Sequence, residues 1–186
     1  MMRPELNLPN LITLARLFCV PFAIWLIAEE RYGAAFWVFV GAGVSDALDG
    51  YIAKNFDRRT RLGALLDPVA DKALLTGVYL SLGLSGVLPL WLVVLVLLRD
   101  TLIVGGFLLI HRTATPRQVE PLFVSKINTG VQIALVGFVL ARQGLGIGGG
   151  MATMVLVAAA AVTTVWSGMS YLARLARLLF GSERAL

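Results

Sequence analysis

Four aspartates stand inside apolar stretches of helical character. They are arranged as Asp46-x-x-Asp49-Gly50-x-x-Ala53-Lys54, eight further residues, and Gly63-x-x-x-Asp67-x-x-x-Asp71. An ionised carboxylate at membrane depth is costly, and one that persists marks a functional site with a partner. Four together cannot all stay ionised without cations, and hard divalent ions take oxygen ligands. Asp46 and Asp49 are three apart, which puts them on one face of a helix. Gly63, Asp67 and Asp71 are four apart and form one stripe along the next helix. Gly50 has no side chain and lets a ligand or a neighbouring backbone come close. Two divalent ions on these carboxylates could clamp a pyrophosphate and stabilise the departing phosphate oxygens. Lys54 could meet a phosphate as a point charge. One aspartate at the edge of such a cluster could take a proton from an attacking hydroxyl; Asp71, deepest along its helix, is the natural candidate.

The elements that must hold these residues are membrane spans. The chain has 186 residues, is 58% hydrophobic and only 15% charged, with a mean hydropathy of +0.83. Such long apolar runs predict an all-α integral membrane protein, a single membrane domain over residues 1–186. Six segments are expected near 11–29, 33–54, 62–86, 89–111, 125–142 and 150–178. Pro89 suits the first turn of the fourth, and Gly144 to Gly150 reads as a loop. A short polar turn joins the second and third segments, making them antiparallel neighbours with their carboxylates facing each other. Pro68 cannot donate to the Ala64 carbonyl, so it should bend the third helix beside Asp67.

Basic residues choose the orientation. Arg3, Lys54, Arg58, Arg59, Arg61, Arg112, Arg117, Lys126, Arg174, Arg177 and Arg184 fall on one side, against Arg31 and Arg142 on the other. This places both termini and the aspartate constellation toward the cytoplasm. Residues 1–10 read as an interfacial segment. The first helix either begins flat on the headgroups, with Leu8, Leu11, Ile12 and Ala15 on one face, or spans directly with Arg16 snorkelling. The net charge of +5 speaks for anionic lipid rather than nucleic acid. Cys19, the sole cysteine, reads as an apolar filler. His111 reads as a snorkelling residue at a helix end. No basic region with a short apolar core and cleavage site opens the chain, so no removable leader is expected. Gly41-Ala-Gly43 and Gly105-Gly106 read as places of close helix approach.

The constellation resembles the signature of the CDP-alcohol phosphatidyltransferase family, D-x-x-D-G-x-x-A-R, eight residues, G-x-x-x-D-x-x-x-D. Seven of its eight defined positions are matched, and Lys54 stands where the family usually has Arg. Charge survives that change, but bidentate phosphate contact does not. The resemblance implies six helices, a homodimer, and two divalent cations, Mg2+ or Mn2+. It implies transfer of a phosphatidyl group from CDP-diacylglycerol to an alcohol with release of CMP. Carried over residue by residue, it makes Asp46, Asp49 and Asp67 metal ligands and Asp71 both ligand and base. Gly50, Ala53 and Gly63 would line the nucleotide site, with Lys54 and Thr60 beside it.

The acceptor alcohol must be read elsewhere. Arg99-Asp100 puts a charged pair inside the fourth segment, where depth argues for function. Lys126 and Asn128, in the polar start Ser125-Lys-Ile-Asn-Thr129 of the fifth segment, could bind an acceptor phosphate with Arg112 and Arg117. Together with Pro9-Asn10-Leu-Ile-Thr13-Leu-Ala-Arg16 and Thr163-Thr164, these stretches look most like the cardiolipin synthase branch. That branch uses phosphatidylglycerol as acceptor. The branch that makes phosphatidylglycerophosphate from glycerol 3-phosphate is the alternative. The resemblance implies an enzyme of the bacterial inner membrane, or of the mitochondrial inner membrane in a eukaryote, with its active site on the cytoplasmic side. An intramembrane cation transporter would also use buried carboxylates. It would not require two glycines and a cation at fixed offsets from them.

Overall fold

A computed structural model describes the backbone of residues 8–56, 61–113 and 123–180, and the side chains of 17–45, 72–106 and 123–177. Among these residues the chain is all α, with six helices: α1 Leu8–Ala28, α2 Tyr32–Phe56, α3 Arg61–Leu84, α4 Leu90–Thr113, α5 Phe123–Leu145 and α6 Gly150–Phe180. Each expected segment has its helix. Of the expected interfacial segment, residues 8–10 belong to α1, which runs unbroken from Leu8, and residues 1–7 lie outside the described ones. Likewise α3 continues through Pro68. Pro89 sits just before α4, its carbonyl accepting from the Leu92 and Val93 N–H groups at 3.0 and 3.4 Å. The predicted glycine loop is shorter than expected. Gly144 belongs to the last turn of α5, and Gly146 and Gly148 turn the chain at φ +68° and +94°.

Two helix ends show why the connections are tight. At the end of α1 the Arg31 N–H donates to the Leu26 carbonyl at 2.8 Å and the Glu30 N–H to Ile27 at 3.0 Å. This is the paired closure that a left-handed residue makes possible, and Glu30 supplies it at φ 57° without being glycine. The end of α3 repeats the pattern, Val87 to Leu82 and Gly86 to Gly83, now with glycine at φ +71°.

The chain forms two compact units, residues 1–88 with 136–148, and residues 89–135 with 149–186. In the first, α1 packs on both α2 and α3. Its core is apolar: Ala23, Leu26, Ile27, Ala35, Phe39, Leu74, Val78, Tyr79 and Leu82 are buried. Gly77 admits α1 to α3, since a Cβ there would lie 3.0 Å from Ile24 Cδ1 and 3.4 Å from Val20 Cγ1. Gly33 and Gly144 meet backbone to backbone, because a Cβ on Gly144 would collide with Tyr32 and Gly33 themselves. Gly41 and Gly43, expected to mark a close approach, have nothing within 4 Å among the described residues. In the second unit α4 packs on α6, and Gly106 allows Leu175 to within 3.6 Å of where a Cβ would be.

Large apolar side chains cover the outside, among them Phe18, Trp37, Leu84, Trp91, Phe123, Met151, Met154 and Trp166. All four tryptophans are exposed. An aqueous surface does not carry so many contiguous apolar residues. Among the described residues two helical stretches, Phe123–Leu145 and Gly150–Arg177, are long and apolar enough to cross a membrane. Shorter apolar helical stretches are Leu17–Ala28, Tyr32–Ser45 and Lys72–Leu84.

The Gly33–Gly144 contact gives a test of the first unit. Gly144→Ala places a methyl group against backbone that cannot rotate away, so it should destabilise by roughly 1–3 kcal/mol. The check is a lowered thermal unfolding midpoint in detergent. Gly41→Ala, facing open space, should leave that midpoint unchanged or slightly raised, since alanine is the better helix former.

Candidate functional site

The backbone places the whole motif on two helices. Asp46, Asp49, Gly50, Ala53 and Lys54 lie in the second half of α2, and Gly63, Asp67 and Asp71 in the first half of α3. The helical register therefore holds at i, i+3 on α2 and at i, i+4 on α3. The side chains of these eight residues and of Arg112 lie outside the described ones, as do Thr60 and Arg117 altogether. What is described is the scaffold. Both helices pack on α1, so one element governs the placement of both halves of the motif. Among the described residues no group of three or more His, Cys, Asp or Glu could hold a metal. By chemistry alone, the oxygen donors that divalent cations take are offered in the sequence by the four motif aspartates.

The second unit holds a buried polar seam that the sequence only hinted at. All the buried polar or charged residues among the described ones, Arg99, Asn128, Gln132, Thr164 and Ser167, belong to it. On α5, Ser125, Asn128 and Gln132 recur at spacings of three and four, one helical stripe. On α6, Thr163, Thr164 and Ser167 recur likewise. Arg99 enters from α4.

Arg99 is 5% exposed and is satisfied from three helices. Its Nη1 donates to Asp100 Oδ1 at 2.6 Å. Its Nη2 donates to Ser125 Oγ at 2.5 Å and to Ser167 Oγ at 2.7 Å. Its Nε donates to Ser167 Oγ at 3.1 Å. Adjacent helix residues do not normally face each other. The pairing with Asp100 therefore requires the arginine stem to lie along the helix. Gly168 makes room for it, as a Cβ there would sit 3.7 Å from Arg99 Cγ. The planar fork suits this geometry where a lysine ammonium would not.

One turn further along α5, Asn128 Oδ1 lies 2.9 Å from the hydroxyls of both Thr163 and Thr164. Gln132 Nε2 donates to Thr164 Oγ1 at 3.3 Å. Asn128 is fully buried, and its Nδ2 has no hydrogen-bond partner. The Thr163 hydroxyl also reaches the Ala159 carbonyl at 2.8 Å. Arg99 and Asn128, both expected to bind acceptor, are thus engaged inside the unit. Lys126 is exposed on α5, next to Ser125. Arg174 and Arg177 line an open groove on α6 with Met169, Ser170 and Ala173.

The family profile described as CDP-alcohol phosphatidyltransferase matches residues 6–166, a stretch that includes parts of both units. Cardiolipin synthase (CMP-forming) of Rattus norvegicus is 34% identical over 181 residues, covering 89% of this chain and 60% of that protein. The Homo sapiens protein of the same description gives the same figures. A probable phosphatidylglycerophosphate synthase of Mycobacterium tuberculosis strain H37Rv is 35% identical over 186 residues, covering 94% of this chain and 84% of that protein. The chain therefore spans about three fifths of the length of the rat and human relatives.

The seam makes a prediction about cost. Asn128→Leu removes an unpartnered donor and leaves Thr163 a helix carbonyl, but it takes the acceptor from the buried Thr164 hydroxyl, so it should cost about 1–3 kcal/mol. Asn128→Asp puts an extra charge in the same place and should cost about 3 kcal/mol or more. Unfolding midpoints of the two purified variants measure the difference.

Proposed function

Because this chain belongs to the CDP-alcohol phosphatidyltransferase family, we propose that it transfers a phosphatidyl group from CDP-diacylglycerol to phosphatidylglycerol. The products are cardiolipin and CMP. The observation that carries the reading is the intact set of four aspartates at the family spacing, on two helices that share α1 as packing partner. The choice of acceptor is supported by relatives named as cardiolipin synthases over 89% of the chain. The reading with glycerol 3-phosphate as acceptor is supported by the mycobacterial relative, which matches over a larger share of its own length.

In this proposal Asp46, Asp49, Asp67 and Asp71 would hold two divalent cations, Mg2+ or Mn2+. When bound, the cations polarise the phosphorus and offset charge on the departing phosphate oxygen. Asp71 takes the proton from the acceptor hydroxyl as its oxygen forms the new bond to the lipid-bearing phosphorus. The bond from that phosphorus to the CMP oxygen breaks, and CMP carries the electron pair away. Gly50, Ala53 and Gly63 offer side-chain-free or small surfaces for the nucleotide. Lys54 supplies charge, and Thr60 a hydroxyl, at its edge. Lys126, with Arg112 and Arg117, meets the acceptor phosphate. Arg99 is left out of that set because it is buried and makes four hydrogen bonds within the unit.

The exposed apolar surface and the long apolar α5 and α6 support a six-span enzyme of a membrane such as the bacterial inner membrane. The basic residues support cytoplasmic termini and a cytoplasmic active site. A homodimer is part of the same family-based proposal.

Purified enzyme, CDP-diacylglycerol and each acceptor separately test the reaction. Cardiolipin should form with phosphatidylglycerol; product with glycerol 3-phosphate alone would reassign the acceptor. Chelation of divalent ions should abolish turnover, and Mg2+ or Mn2+ should restore it. Asp71→Asn should lower kcat by at least about 100-fold while CMP binding persists. Full activity in that variant would remove Asp71 from the role of base.

A further inference from the structure

We infer that Arg99 is a positioning residue for acceptor binding: its guanidinium fixes the first turn of α5, and so the place of Lys126, by tying Ser125 to Ser167 of α6. The inference rests on the proposal that Lys126 meets the acceptor phosphate.

Four observations carry it. The guanidinium is buried and makes bonds to side chains of three different helix segments, at Asp100, Ser125 and Ser167. Ser125 is the neighbour of Lys126, and it lies in the first turn of α5. That turn has no helical hydrogen bonds from its own N–H groups and is the part of a helix freest to fray. Lys126 itself is exposed, so nothing packed around its side chain sets its position. A tertiary restraint next to it in sequence is the Ser125 hydroxyl bonded to Arg99 Nη2.

The arrangement also gives Arg99 a reason to be arginine. Its Nη2 serves Ser125 and Ser167 together, while Nε makes a second bond to Ser167. An ammonium could not make this planar fork. Asp100 takes the remaining face of the guanidinium and compensates its charge at depth. The charged pair in α4 is then a buried brace whose effect reaches substrate through Ser125 and Lys126. Because a small displacement of a binding group is costly, loosening the brace should weaken acceptor binding selectively.

The test is steady-state kinetics on purified full-length protein in mixed micelles. Each substrate is varied in turn, using whichever of phosphatidylglycerol and glycerol 3-phosphate supports turnover of the unaltered enzyme. Ser125→Ala and Arg99→Met should each raise the acceptor KM about tenfold, leaving the KM for CDP-diacylglycerol within a factor of two or so. Ser125→Thr, which keeps the hydroxyl, should restore the acceptor KM. Lys126→Gln is the reference. If it raises the acceptor KM while Ser125→Ala does not, the positioning role is overturned and the Lys126 reading stands. An unmoved KM in Lys126→Gln overturns the Lys126 reading, and the brace loses its object. A fall in Ser125→Ala of unfolding midpoint and of affinity for both substrates together would make the cluster a structural one, and overturn the inference. Ser125→Ala keeps the test decisive should Arg99→Met fail to fold.

Discussion

A charge or an unpaired polar group carried into an apolar helix bundle must find compensation within hydrogen-bond reach, because there is no water to supply it. Arg99 meets this requirement from inside the protein, with one carboxylate and two hydroxyls. Four aspartates on α2 and α3 cannot meet it from one another, since like charges brought together raise the cost of ionisation. In the proposed reading divalent cations supply that compensation. The same physical demand thus separates a brace, which is closed on itself, from the proposed site, which would take a ligand.

The two compact units divide along this line. The first is built with an apolar core and glycines at its close contacts, Gly33, Gly77 and Gly144. It is a rigid frame for the motif, with α1 holding α2 and α3. Apart from Tyr79, whose ring carries a hydroxyl, its buried described residues are apolar. The second unit adds buried side-chain hydrogen bonds to an apolar core of Leu92, Val93, Val96, Leu135 and Ala160. Where solvent is as apolar as the side chains, burial gives little drive, and each interhelical hydrogen bond contributes about 0.6 to 2 kcal/mol. The bonds linking Arg99, Asn128 and Gln132 to α6 therefore carry a large part of what joins α4, α5 and α6.

The fold was largely legible in the sequence. Long apolar runs broken at Glu29–Arg31, Ser85–Pro89 and Gly146–Gly149 give the helices directly, because apolar length is the dominant signal when the solvent is hydrocarbon. The ends moved by a few residues where local geometry decided. Gly144 stayed helical because α2 approaches it there, and Glu30 took a left-handed conformation that composition does not announce. The motif was legible for a different reason, since metal-ligating spacing is local. The seam was not. Asn128, Gln132, Thr164 and Ser167 could each be seen as polar in an apolar run, but their partners lie 32 to 68 residues away. For Arg99 the sequence shows a buried charge and not the side chains that satisfy it. Gly41 and Gly43 looked like contact residues, yet small size permits approach without causing it.

Asn128 and Arg99 belong to one buried polar seam, but evolution should treat them differently. The Thr163 hydroxyl already has a backbone oxygen within 2.8 Å, so replacing the amide sends it home to its own helix. A guanidinium has no such retreat: any substitution there abandons two serines and a carboxylate at once. Among descendants of this chain, position 128 can drift between amide and aliphatic residues if position 164 drifts with it, whereas position 99 can change only in concert with positions 100, 125 and 167.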